Sequence, residues 1–537
     1  MENRPSFDIY CMFIHRLKQR SSLDYRNKLA LLAKDPSSPQ MFQFAQQLSD
    51  VSKQYDTFYF SEKARDLAQI DVKELVKATE DYLSMLGGFI GDTLAASSVM
   101  PTVGKVKSIN EIDDDYENSD KDDDKEDKDE KEDDDKEDKE EKDGDDDSSS
   151  DKEDDKDDDD KDTKKAIKQQ VESLRTRLQF QWTTLAGQQR VIKSSDALME
   201  IANVVFNLGI WYMGYSQSLL TTNQKEDGIE EEVRQVIYDY LLKAAGCFQF
   251  LRDKVAPKLK KSERGVDFGD SMLKALFLQA LGQSQEITIG RAFKKNTSTS
   301  VICNLAVDTS KIYQEVLDSL NTIDNLFEAR LEKLVVFINY KMSVYQSLAY
   351  YLAAFNQNAT HKYGDAIVSG RQASFALKNA TSLIDTCVSV TITRDALKGP
   401  TNYLSKILGT ENTRFERENT VIGYQTIPDE VVALPDGNRL AKPREFVMPP
   451  TNSAWDEKTY ALFDANKKLS ESDITALKVV SPKLESTKAP AAAKESKEEE
   501  KNDYVEEAAS SSSSSTATQS ASNQSNAKPA KSGCIIN

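Results

Sequence analysis

Apolar residues recur at steps of three and four through the middle of this chain, and that spacing limits what it can fold into. Val233, Val236, Ile237, Tyr240, Leu241, Ala244, Ala245, Phe248 and Leu251 fall on one face of a helix. The same period returns in Val301, Leu305, Ile312, Val316, Leu320, Ile323 and Phe327, and again in Val336, Tyr340, Val344, Leu348, Tyr351, Leu352 and Phe355. Each such stripe must be covered by another element. Successive stripes with short breaks and few strand-like alternations predict an all-α antiparallel array or solenoid. Phe180–Thr184 is the best short strand candidate. The uncharged stretch Ile201–Gln224 is long enough to cross a bilayer, but it contains Asn203, Asn207, Tyr212, Tyr215 and Gln217. These are costly in hydrocarbon, so a buried helix is expected there.

Charge divides the chain. Residues 111–162 carry 34 acidic and 10 basic side chains, a net of −24, which leaves +4 for the rest of a chain whose total is −20. The body is therefore nearly neutral, and the acidity is local. Helix-like sequence precedes the run (Tyr82-Leu83-Ser84-Met85-Leu86) and resumes after Lys164, as an insertion within one domain would require. Widening a loop from about 10 to about 60 residues costs only about 1.6 kcal/mol of closure entropy, which a stable fold absorbs. At this charge density the run is expected to repel itself and stay unfolded. It reads either as a solvated, tolerated expansion or as a lure for basic partners or Ca²⁺. Dispersed lysines and the lack of spaced ligands with a turn glycine weigh against a specific Ca²⁺ loop. From about residue 466 the sequence turns polar and includes the serine run Ser510–Ser515.

The raw material for catalysis is sparse. Neither a G-x-x-x-x-G-K-[ST] loop nor a G-x-G-x-x-G after a strand is present. Two histidines, His15 and His361, and five scattered cysteines offer no metal spacing and no disulfide framework. Cys303 and Cys387 lie in apolar helical patterns and are expected to be inert buried thiols. The reading is of a protein that is not an enzyme, with no metal, cofactor or small-molecule substrate. Without a basic excess, nucleic acid is not an expected partner. Scattered reduced cysteines point to a cytosolic or nuclear compartment, and a cytoplasmic setting is the one expected. The segment Met1-Glu2-Asn3-Arg4-Pro5 is not apolar and has no glycine at position 2 for a myristoyl group.

The sequence closes on Gly533-Cys534-Ile535-Ile536-Asn537. A cysteine, two aliphatic residues and a last residue form the C-a-a-X pattern on which a prenyltransferase builds a thioether-linked isoprenoid. Prenylation at Cys534 is expected to be followed by loss of Ile535, Ile536 and Asn537 and methylation of the new terminus. The covalent group is read as farnesyl, with geranylgeranyl as the alternative, because Asn537 lies outside the usual last residues for either. A cysteine of no consequence is the competing reading.

Several segments together resemble the Bro-domain family of Alix-like proteins. Leu178-Gln179-Phe180-Gln181-Trp182 is similar to that family's F-x-W strand. The stretch Glu200 to Asn207 is similar to its helix ending in Leu-Phe-Asn, with Met199 where tyrosine is usual. Ala280-Leu281-Gly282-Gln283-Ser284-Gln285-Glu286 resembles its A-Q-A-Q-E helix. Glu418-Asn419, Tyr424 and Ile427-Pro428 resemble the stretch that closes the domain. Pro443 to Thr451, then Trp455 and Leu462-Phe463-Asp464, follow in the order of a family member that carries a C-a-a-X box. The acidic insertion departs from the family, as does Asn537.

The resemblance implies a curved, banana-shaped helical solenoid with tetratricopeptide-like helix pairs and a small β-sheet. It places a Bro-type domain over 1–465, interrupted by 111–162, then a disordered polar tail over 466–533 and the C-a-a-X box at 534–537. The implied function is a non-catalytic adaptor that binds the C-terminal amphipathic helix of an ESCRT-III core subunit. With its lipid it would be cytoplasmic and partly membrane-associated. By position, the family's two aliphatic contact residues fall on Val301 and Leu305, and an aromatic of that patch falls on Thr288. Read from the residues alone, Val301 and Leu305 are equally plain core. The competing function is a helical scaffold for other partners, with the acidic loop recruiting basic proteins.

Overall fold

A computed structural model of the chain describes Phe7 and residues 11–61, 67, 70–94, 165, 167–185, 187–224, 228–324, 331–389 and 391–477. The acidic run 111–162, Phe327, residues 478–533 of the tail and the terminal box lie outside these residues, while the described start of the tail holds a short helix at Glu471–Leu477. Among the described residues three helices come first: α1 (Tyr25–Leu32), α2 (Pro39–Phe60) and α3 (Val72–Ile90). A two-stranded antiparallel sheet follows, β1 (Phe180–Thr184) with β2 (Gly187–Ser194), in which Phe180 pairs with Ser194 and Trp182 with Ile192. The strand expected at Phe180–Thr184 is β1.

Seven long helices then run in series: α4 (Ala197–Thr222), α5 (Glu231–Phe250), α6 (Asp270–Lys294), α7 (Thr299–Asn321), α8 (Glu332–Ala359), α9 (Tyr363–Cys387) and α10 (Arg394–Glu418). Each packs against the next, and the short connections make neighbours antiparallel. The all-α solenoid with one small sheet is thus the observed architecture. Side-chain caps set several starts: Asp71 accepts from the Lys73 and Glu74 amides, Asp196 from Leu198, Ser298 from Val301 and Thr393 from Ala396.

The periodic residues largely face inward. In α5, Ile237, Leu241, Ala244, Ala245 and Phe248 are buried, but Val236 is 42 % exposed. It lies one position off the narrow stripe that the neighbouring helices cover. α4 is the one described helix long and apolar enough to span a bilayer, and it is buried along that length. Some of its polar groups are matched inside the fold, as Asn203 Nδ2 donates to the Met199 carbonyl at 2.7 Å.

Residues on both sides of the acidic run share one core. Arg20 Nη1 meets Glu200 Oε1 at 2.6 Å, Tyr82 donates to the same oxygen at 2.8 Å, and the Trp182 indole donates to Oε2. Asn207 exchanges two hydrogen bonds with the backbone of Lys18, at 2.9 and 2.8 Å. The acid and the amide that carried the resemblance on α4 therefore pin the N-terminal segment across the solenoid. After α10, an irregular arm runs from Tyr424 to Asn452. It delivers Trp455 against Phe44 and Phe89, where the indole donates to the Met85 carbonyl at 2.7 Å.

Candidate functional site

α6 ends and α7 begins within four residues. Asn296 makes this possible by adopting the left-handed conformation (φ 55°), which asparagine tolerates better than other side-chain-bearing residues. The Thr297 amide returns to the Ala292 carbonyl at 3.0 Å, and the Ser298 cap receives the Val301 amide at 3.4 Å. This hairpin sets the last turns of α6 opposite the first turns of α7.

The space between them, closed on one side by α5, is a cavity of about 100 Å³. Thr288, Val301 and Leu305, the three positions expected to meet a partner, all line it. They do so in different ways. Leu305 is 1 % exposed and forms the floor, so it belongs to the core and to the site at once. Val301 and Thr288 are half-buried on the walls. A floor residue cannot be charged without threatening the fold, which leaves Val301 as the position that tests binding alone.

Ten further lining residues escaped sequence reading, and four of them shape the site. Ile287 adds apolar floor from α6. Tyr238 enters from α5, and its hydroxyl is hydrogen-bonded to Thr288; burial pushes its pKa up, partly offset by Arg444 and that bond. An aromatic ring thus reaches this pocket from α5, beside the threonine that stands where the family's aromatic would fall. At the rim Arg291 pairs with Glu231 at 2.5 Å. Leu440 comes from the arm, far downstream in sequence. Tyr238 lies beside the apolar stripe read from Val233 to Leu251 and not on it, so that stripe did not mark it. The arm has no period to read.

The segment that resembled the A-Q-A-Q-E helix lies directly behind the pocket. Glu286 accepts from Tyr313 at 2.5 Å and from Lys341 at 3.0 Å, which ties α6 to α7 and α8. Burial raises the Glu286 pKa, and Lys341 and Tyr313 pull it back. Gln285 holds the arm: its amide nitrogen donates to the Asn438 carbonyl at 2.6 Å, and its oxygen accepts from the Leu440 and Ala441 amides at 3.2 Å each.

Chemically, the cavity suits side chains and not a whole ligand. Pockets for small molecules and cofactors usually enclose about 300–1,000 Å³; this one has room for one or two aliphatic side chains presented by another surface. Cys303 and Cys387 are buried, as expected, and burial pushes both thiols up to about 12. Among the described residues no group of three or more His, Cys, Asp or Glu is arranged to hold a metal ion. Cys534 and Ile535, Ile536 and Asn537 lie outside the described residues.

Comparison with known proteins decides the family, because the profile of the BRO1-like domain matches residues 162–466, more than half of the chain. The chain belongs to the BRO1-like domain family. Among curated relatives, the BRO1 domain-containing protein BROX of Homo sapiens is 29% identical over 306 residues, covering 56% of this chain and 73% of that protein. BROX of Mus musculus is 30% identical over 311 residues, with the same coverage of 56% and 73%. Among solved structures, the ALIX BRO1 domain in a complex with CHMP4C superposes with a TM-score of 0.52 at 14% identity, over 82% of this chain and 98% of that one. At that identity the likeness is one of fold. The Bro-domain resemblance carried by Phe180–Trp182, Glu200–Asn207 and Ala280–Glu286 is borne out.

Proposed function

We propose that this BRO1-domain chain is a non-catalytic adaptor that captures the C-terminal amphipathic helix of an ESCRT-III core subunit in the α5–α6–α7 pocket. An isoprenoid on Cys534 would hold the otherwise cytoplasmic protein to membranes. The observation that carries the reading is the convergence of Thr288, Val301 and Leu305, separated in sequence, on one small apolar cavity. An amphipathic helix recognised in a groove presents aliphatic anchors at i, i+3 and i+4, and needs shallow apolar receptors of this size with a polar rim. The likeness of fold to a BRO1 domain solved with CHMP4C supports the class of partner.

The test is isothermal titration of the full chain with a peptide of an ESCRT-III C-terminal helix. The unsubstituted protein should bind in the micromolar range usual for a single short helix. Val301→Asp, its fold checked by circular dichroism, should bind below detection. A carboxylate forced into an apolar contact costs several kcal/mol, and about 1.4 kcal/mol is a factor of ten in affinity. A folded Val301→Asp protein that binds undiminished, or an unsubstituted protein that does not bind, overturns the reading.

A further inference from the structure

The connection from α5 to α6, residues 252–264, holds six basic side chains against two acidic ones, a net of +4. That equals the whole surplus of the chain outside 111–162, so the remaining sequence is balanced. The segment is fastened to the body. Val255, Ala256 and Leu259 are buried, and Lys254, Lys258, Lys260 and Lys261 around them are exposed. Its two acids are already engaged: Asp253 pairs with Arg252 at 2.8 Å, and Glu263 accepts from Ser194 and faces Lys260 at 3.7 Å. Arg264 turns to the Leu259 and Pro257 carbonyls, at 3.1 and 3.0 Å. What faces outward is a cluster of lysines, and the segment has no further acid to match it.

The place of this cluster decides what meets it. Lys258 Nζ donates to the carbonyl of Thr93, whose neighbour Leu94 is the last described residue before the acidic run. The returning chain is equally close: a Cβ on Gly91 would lie 3.1 Å from Cγ1 of Val171, and the run ends at Asp162. The chain thus leaves and re-enters the body at one point, beside its basic segment. Residues 95–110 separate Leu94 from the run, and even as a coil a stretch of that length spans only about 20–24 Å. A tether so short keeps the run near the lysines at an effective concentration on the order of millimolar. A single exposed ion pair contributes little, but a run of 34 acidic residues offers the lysines many partners at once. An anionic membrane is the weaker candidate, because the run stands at the edge of the cluster and repels it.

We infer that the segment 252–264 is a docking site for acidic peptide, and that its occupant is the chain's own run 111–162. The contact is one of charge, with no fixed pairing required. It gives the insertion a role inside the molecule, which is to cover the one concentrated basic face of the body. A polycation that captures the run, or a denser polyanion that takes the lysines, separates the two. The inference does not depend on the pocket between α5, α6 and α7.

The experiment is zero-length carbodiimide cross-linking of the full chain in dilute solution, with the linked peptides identified by mass spectrometry. At low salt, Lys254, Lys258, Lys260 and Lys261 should link to carboxylates of 111–162 at least about fivefold more often than Lys398 and Lys406, which are exposed on α10. In about 1 M salt the screening length falls to about 3 Å, and the preference should disappear. Links that spread evenly over the exposed lysines, or that form only as the protein is concentrated, overturn the inference. Vesicles containing phosphatidylserine give a second reading, with Cys534→Ser throughout so that no lipid anchor contributes. Deleting 111–162, with the fold checked by circular dichroism, should raise vesicle binding about tenfold by uncovering the lysines. Adding Lys254→Gln, Lys258→Gln and Lys261→Gln to the deletion should reverse that gain. Equal vesicle binding with and without the run shows the lysines open to membranes and overturns the inference.

Discussion

His15 sits among apolar and aromatic neighbours, 6 % exposed, with the Phe13 ring tilted against it at 5.0 Å and Nε2 at 2.8 Å from the Gln279 oxygen. Burial lowers its pKa from 6.5 to about 4, only partly opposed by the bond to Gln279. The neutral ring is therefore the folded form. Between pH 6.5 and 4 the unfolded chain holds a proton that the folded one does not, so stability falls as pH falls through that window. The contribution is on the order of 3 kcal/mol, at about 1.4 kcal/mol per pKa unit. Chemical denaturation of the unsubstituted chain and of His15→Gln between about pH 7 and about pH 4.5 should show a steeper loss in the former. Parallel curves would show that the ring is not held neutral. Comparing the two variants cancels the buried carboxyl of Glu286, whose raised pKa acts in the opposite direction.

At the scale of elements, two glycines on helices make opposite predictions. Gly246 on α5 lies beneath the arm, where a Cβ would collide with the Arg444 carbonyl oxygen. Gly246→Ala must lift the arm at its crossing, so the melting temperature should drop and amide exchange around 440–446 should rise. Gly409 on α10 has nothing within 4 Å of the place a Cβ would take. Gly409→Ala should stabilise the chain by about 0.5–1 kcal/mol through helix propensity alone. A rise in stability for both variants would show that the arm is not packed on α5. These elements also mark where sequence reading succeeds. Helices α5, α7 and α8 were legible because burial on one side imposes a period, α4 because a long uncharged stretch marks a buried helix, and β1 as a short strand candidate. The π-helical turns at Leu251–Val255 and Asn419–Gly423 were not, since they leave no periodic trace. The arm was visible only as a string of motifs. What it does depends on Gln285, Asp308 and Gly246, which meet it through the fold and not through the sequence.

For the whole molecule, the proposed function gives the body and the terminal box separate attachments, and the balance between them is a matter of magnitude. One isoprenoid contributes about 0.8 kcal/mol per buried CH₂, and a single chain of this class gives only marginal, reversible membrane binding. Lys528 and Lys531, close to Cys534, add about 1 kcal/mol each at an anionic surface. The nearest preceding cysteine is Cys387, which is buried in α9, so a second acyl chain has no ready place. On the proposed function, the protein should divide between cytosol and membrane. Its membrane share should rise when ESCRT-III assembles there, because the captured helix is a second attachment at high effective concentration. Cys534→Ser should shift the protein to the soluble fraction while leaving peptide affinity in solution unchanged, since the pocket and the anchor share no residue. Val301→Asp should do the reverse, keeping basal membrane association and losing the rise. Intact-mass measurement of protein from its native cells reads the anchor directly: loss of Ile535, Ile536 and Asn537 with an added isoprenoid supports it. A terminus that ends uniformly in unmodified Asn537 removes the anchor and leaves a BRO1 domain that reaches membranes through its partner alone.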